Sequence, residues 1–201
     1  MTLIAKHIFG EAYNFVEEVI GTPSEILLKL NNRFSPSSLA KLATLKINSK
    51  TPTNTYRLPL LFSEEGDWEN IELATGMSRS AYKAQLLGQT FTLAMLGFLP
   101  GFLYMDGLPA ALTVPRKTNP ALRMTSGTIA VGGKYLGFYS LPSPGGWNTI
   151  GQSPINILNT SALPPVALHP GDTFILQAIT VSKFQELINN PLSLAEYNKP
   201  L

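Results

Sequence analysis

The chain has 201 residues, enough for one ordinary domain or two small ones and for a core that needs no disulfide or metal. It contains no cysteine and only two histidines, His7 and His169, which excludes thiolate chemistry, cysteine-ligated metals and any multi-histidine metal site within one chain. Charged residues are 14% of the total against roughly 25% in soluble domains, and the net charge of +2 is too small for a nucleic-acid footprint.

The amino terminus, MTLIAKHIFGEAYNF, places Lys6, His7 and Glu11 where a secretory apolar core would be uninterrupted. The most apolar stretch, Leu93 to Met105, is too short to cross a bilayer and contains Pro100. It reads as protein core, and the expected compartment is the cytoplasm.

Taken along the chain, Ile8, Ala12, Phe15, Val16 and Val19 fall near a 3.6-residue period and predict a helix over about 5–19. Thr22, Pro23 and Ser24 break the pattern before a short strand over 25–30. Ser35 with Pro36 predicts a capped helix over 36–43. Tyr56, Leu58 and Leu60 alternate as a strand that ends before the acidic turn SEEGD. A helix over 68–75 stops at Gly76, and Ser78 caps another over 79–87. Thr90 to Met95 reads as a strand.

The composition then changes. Eleven of the 16 glycines and ten of the 16 prolines lie between Gly97 and Asp172, whereas the first 96 residues hold nine of the 13 acidic residues. Glycine and proline suppress helix and punctuate short strands. Runs such as LTVP, GTIAVGG, GFYSL, TIG, INIL and DTFILQAI therefore predict an all-β barrel or sandwich. A short helix over 181–187 follows, and the terminal residues NPLSLAEYNKPL read as weakly ordered. The fold expectation is α+β, with a small α+β domain over 1–93 and a β domain over 94–201.

Three segments carry the specific signal. In LGFLPGFLYMDGLP (96–109), Phe98, Phe102 and Tyr104 alternate, which suits either an aromatic wall of a cleft or a buried crossover. In PRKTNPALRMTSGTIAVGG (115–133), Arg116, Lys117 and Arg123 lie within eight residues of a chain that has five arginines. Such a loop either holds an anion or simply carries solvated charges. Gly132-Gly133 reads as a hairpin turn. In LPSPGGWNTIGQSP (141–154), Gly145 and Gly146 beside Trp147 suit a backbone N–H nest or a tight turn around a packed indole. No nucleotide-binding or nucleophile-elbow motif is present. His169 and Asp172 read as turn residues, and Asp106 as an outside candidate for acid–base work.

In this order the three segments resemble the hallmark run of the allophanate hydrolase subunit 1 family, which includes the kinase inhibitor KipI and the B-type subunit of 5-oxoprolinase. The resemblance covers residues 91–180. It implies a cyclophilin-like β-barrel behind a small α+β domain, here without the initial strand that members usually place ahead of the first helix. It also implies a partner, an allophanate hydrolase subunit 2 homologue, which corresponds to the C-type subunit of 5-oxoprolinase. The pair is similar to the carboxyltransferase region of urea carboxylases. With a third subunit, such a complex opens 5-oxoproline to glutamate at the expense of ATP. The chain alone is expected to bind neither a cofactor nor a metal, and ATP is used at the level of the complex.

On this resemblance Arg123, with Arg116 as second choice, holds a carboxylate or phosphorylated intermediate. Gly145 and Gly146 supply N–H donors, while Phe102, Tyr104 and Trp147 exclude water. No catalytic residue is assigned. Members usually carry a histidine eleven residues before the GF of the first motif, where this chain has Leu86. A second reading, from the KipI members, is a protein that binds a sensor histidine kinase and blocks its autophosphorylation. Neither reading involves nucleic acid or a membrane.

Overall fold

The structure is a computed structural model and describes residues 2–11, 13–45 and 53–199. The chain divides into two compact units, Met1–Pro52 and Thr53–Leu201.

In the first unit, helix α1 (Thr2–Gly10) precedes an antiparallel ribbon of β1 (Val16–Gly21) and β2 (Ile26–Leu30), followed by α2 (Pro36–Ala43). Ile8, Phe15 and Leu42 are its buried centre. The helix expected over 5–19 stops at Gly10, and Val16 to Val19 are strand. The reason is a β-bulge between Val16 and Glu18, which turns Val16 and Val19 to the same face. Two apolar residues three apart on one side imitate helical spacing. Ala12, part of the same pattern, lies outside the described residues. Helix α2 forms as expected, with the Ser35 hydroxyl accepting from the Ser38 N–H and Pro36 in the first turn.

The second unit is a closed barrel. Its strands are β3 (Thr55–Phe62), β4 (Thr90–Leu96), β5 (Leu103–Asp106), β7 (Thr128–Gly132), β8 (Tyr135–Phe138), β10 (Asn148–Gln152) and β11 (Thr173–Ala178). They close in the order β10-β3-β11-β4-β5-β8-β7, with β3 and β11 parallel and the other neighbours antiparallel. A separate ribbon pairs β6 (Ala121–Met124) with β9 (Ser143–Gly145). Helices α3 (Trp68–Thr75) and α4 (Arg79–Leu87) join β3 to β4, and α5 (Val181–Asn189) and α6 (Leu194–Tyr197) follow β11.

Alternation fills the barrel interior: Leu58, Leu60, Phe91, Leu93, Leu103, Met105, Ile129, Val131, Leu136, Phe138, Ile150 and Phe174 are all within 1% of complete burial. Trp68, Ile71, Tyr82 and Leu86 of α3 and α4 belong to the same core. The boundary expected at residue 93/94 is therefore corrected. Strands β3 and β4 are barrel staves, and the rise in glycine and proline marks the loops between later staves instead of a new domain.

Two short runs fail as strands. LTVP contributes the end of a 3-10 turn (Ala110–Leu112) and a single bridge from Val114 to Gly133. INIL contributes only the bridge from Asn156 to Ser193, although Ile155 and Ile157 are buried. The tail expected to be weakly ordered instead forms α6. A capping box joins Ser193 to Glu196, Leu194 is buried, and the Asn198 side chain bonds both the backbone N–H and the carbonyl of Arg57.

Candidate binding cleft

Strand β5 separates two apolar environments. Leu103 and Met105 point into the barrel, while Phe102 and Tyr104 face outward into a second cluster with Met124, Ala130, Tyr139 and Trp147. Tyr104, Gly137 and Ala130 form one cross-strand row on β5, β8 and β7. Trp147 packs over this row where side chains are missing. A Cβ at Gly137 or at Gly132 would come within 2.5 Å of the indole. Phe102 meets Tyr104, Tyr139 and Trp147 at ring-centroid distances of 4.7, 4.8 and 5.5 Å, the last two edge to face.

The cluster floors a cleft of about 390 Å³, with Phe98, Arg116, Lys117, Pro120, Pro144 and Gly146 around it. Six of the seven residues expected to bind substrate meet here: Phe102, Tyr104, Arg116, Gly145, Gly146 and Trp147. The aromatic segment is no crossover: it leaves β4, turns and returns as the antiparallel neighbour β5 within one unit, and the buried Phe102 is also a wall of the cleft. Phe98 departs from the expected alternation. It lies in the turn before Phe102, with φ +65° and 62% exposure, and stands edge to face on Phe102. Such a backbone conformation is uncommon for a bulky residue and costs of order 1–3 kcal/mol.

Arg123, the first choice for the anion, is not in the cleft. The β6–β9 register slips between Ala121 and Met124, so that Ala121 and Met124 both pack inward. Leu122 and Arg123 are pushed out to solvent. Arg116 takes the place: its guanidinium carbon lies 5.6 Å from the Trp147 ring centroid, and no carboxylate pairs with it among the described residues.

Gly145 and Gly146 do not build an N–H nest, which needs one residue at positive φ; neither glycine has it. Gly145 is glycine because a Cβ would lie 2.5 Å from the Tyr139 hydroxyl. The Gly146 carbonyl accepts from the Lys117 N–H at 2.7 Å. Gly145 thus shapes the cleft by close packing, whereas a Cβ at Gly146 would make only ordinary contacts, 3.7 Å from Pro120.

Burial pushes the Tyr139 phenol up to about 12, with Tyr104 adding to the effect, while Arg116 and a hydrogen bond from the Trp147 backbone oppose it. Burial likewise raises Tyr104, opposed by Arg116. Both phenols are thus neutral donors at ordinary pH. Lys117 lines the cleft and pairs with Asp67 at 2.8 Å; the same carboxylate oxygen accepts from the Thr149 N–H at 2.7 Å. Among the described residues no histidine or carboxylate lines the cleft. The arrangement can bind a flat, partly apolar anion, and among the described residues it offers no imidazole or carboxylate for acid–base work.

The remaining candidates lie elsewhere. Asp172 is fully buried and accepts from the backbone N–H of Asn54 and His169, as a turn residue does. Asp106 caps the Gly107 N–H. Leu86 is core, at 0% exposure. Among the described residues no group of three or more His, Asp or Glu could hold a metal ion, and no helix is long and apolar enough to cross a membrane. Sequence reasoning missed Tyr139 and Asp67. Tyr139 was legible only as one aromatic in GFYSL. Asp67 sits in what read as an acidic turn, fifty positions from its partner Lys117.

Fold and site together define a β-barrel protein with an aromatic, cation-rimmed cleft on the outer face of its staves. The chain belongs to the carboxyltransferase domain, subdomain C and D family, whose pattern it matches over residues 10–168. It is 40% identical over 78 residues to the B-type subunit of 5-oxoprolinase from Escherichia coli, covering 39% of this chain and 36% of that protein. With the corresponding 5-oxoprolinase protein of Haemophilus influenzae it shares 37% over 91 residues, covering 44% of this chain and 43% of that protein. The matched stretch thus spans less than half the length of these relatives. The crystal structure of TTHA0988 superposes with a TM-score of 0.75 at 27% identity, over 88% of this chain and 36% of that one.

Proposed function

We propose that the chain is a component of a 5-oxoprolinase assembly, and that its cleft receives the lactam. The relatives named as B-type subunits of 5-oxoprolinase support the class of reaction. The observation that carries the reading is an Arg116 with no ion pair among the described residues, set over an aromatic floor. A small flat ring packs on Trp147 and Phe102, a carboxylate meets the guanidinium, and the neutral Tyr104 hydroxyl is left to donate to a carbonyl. Because the cleft holds no base, hydrolysis draws its activated water and its ATP from other subunits, a subunit 2 homologue and a third component. The same absence makes the chain inactive by itself.

The test is 5-oxoproline-dependent ADP release by the reconstituted assembly. Release should require this chain and should fall about 10- to 100-fold with Arg116→Ala, the equivalent of a lost charge-assisted hydrogen bond of roughly 1.5–3 kcal/mol. The isolated chain should hydrolyse neither 5-oxoproline nor ATP. ADP release that proceeds equally well without the chain overturns the proposal.

A further inference from the structure

A second concavity, about 420 Å³, lies beside the aromatic cleft and shares Arg116 and Lys117 with it. Its character is different. Besides the two cations it is lined by the carboxamides of Asn70, Asn119 and the buried, internally bonded Asn148 and by the hydroxyl of Thr118, with no carboxylate and no aromatic ring among the described lining residues. Every charged group on its wall is a donor.

The loop between the two cavities is fixed on both sides of Arg116. Before it, the Pro115 carbonyl accepts from the Asn148 amide at 2.8 Å. Asn148 is only 1% exposed; it also donates to the Val131 carbonyl at 3.3 Å and accepts from the Asn70 amide at 3.3 Å. After it, Lys117 is held through its backbone by Gly146 and through its ammonium by Asp67. Arg116 between them is exposed and makes no ion pair among the described residues. A guanidinium carries five N–H donors in a rigid fork, enough to serve an anion in each cavity. Presenting it on an anchored loop lowers the ordering cost of binding.

We propose that this groove is a phosphoryl-binding subsite, so that cleft and groove form one two-chambered site divided by Arg116. A carboxylate has two oxygens and is satisfied by the fork alone. A phosphoryl group has three, and the groove adds the Thr118 hydroxyl and the Asn119 amide to the same cation. With Lys117 compensated by Asp67, one guanidinium and neutral donors remain, and the expected affinity for inorganic phosphate is in the millimolar range. The inference rests on the lactam reading only for what occupies the cleft. Phosphoryl chemistry could reach the groove on a nucleotide or on a phosphorylated substrate.

The full chain, titrated with inorganic phosphate and followed by amide resonances, should show shifts centred on Arg116, Thr118 and Asn119. Asn119→Asp places a like charge in the groove on an exposed loop, and Thr118→Glu does the same one residue away. Each should weaken phosphate binding about tenfold or more and, because the added carboxylate also faces the shared Arg116, weaken 5-oxoproline binding by a clearly smaller factor. Phosphate shifts that centre elsewhere, or that persist unchanged in both variants, overturn the subsite. ADP titrated in the same way identifies the source: binding tighter than phosphate supports a nucleotide, and binding no tighter supports a phosphorylated substrate. If phosphate behaves as expected and 5-oxoproline fails to bind, the subsite stands and the lactam reading of the cleft falls.

Discussion

Trp147 keeps its position because two strands carry no Cβ beneath it. At Gly137 an added methyl would meet Trp147 at 2.5 and 2.8 Å and Phe102 at 3.0 Å, all ring atoms with no flexible end to swing away. Gly137→Ala should therefore displace the indole and cost about 1–3 kcal/mol, as over-packing does. Urea denaturation followed by fluorescence checks this, since only Trp68 and Trp147 report and Trp68 lies in the barrel core. An unchanged midpoint and unchanged native emission would contradict this packing. At this scale the sequence was partly legible. Residue types in the three glycine-rich segments named six members of the cleft, but the choice between Arg116 and Arg123 depended on a single bulge in β6 that no side-chain pattern announces.

Elements with chemical punctuation were read closely, and elements made by long-range pairing were not. Helices α2, α3 and α4 begin and end where Ser35, Gly76 and Ser78 indicate, because caps act through neighbouring residues. Strand β1 was misread as helix because its bulge is a property of the pair with β2. Asp67 shows the same limit within one helix. It occupies the N-cap position of α3 yet makes no side-chain cap bond, and its carboxylate goes instead to Lys117 and Thr149. With side chains 15% and 25% exposed, this pair is better shielded than the other ion pairs among the described residues. Asp67→Asn leaves a half-buried ammonium without its counter-charge. It should destabilise the barrel unit by about 1–3 kcal/mol and speed amide exchange at Lys117 and Thr149. A loss below about 0.5 kcal/mol would place the pair among ordinary surface salt bridges.

At the scale of the whole chain, closure of the barrel decides where a foldable unit begins. Strand β3 runs parallel to β11, from Thr55 beside Thr173 to Leu60 beside Ala178, and its other edge pairs with β10. A chain cut at the composition change, 94–201, therefore loses β3, both intervening helices and half of β4. It strips Leu58, Leu60, Trp68, Ile71, Tyr82, Leu86, Phe91 and Leu93 from the main core. It also leaves one edge of β10 and the β3-facing edge of β11 without a partner, and unpaired edges template aggregation. A fragment over 53–201 keeps every stave and the whole of that core. Expressed separately, 53–201 should elute as a defined species and unfold in one cooperative transition, whereas 94–201 should aggregate or lack a transition. Size-exclusion chromatography with thermal circular dichroism separates the outcomes. A cooperative 94–201 would mean that the later staves close without β3, against the observed pairing, and a 53–201 fragment that failed to fold would tie barrel stability to the first unit.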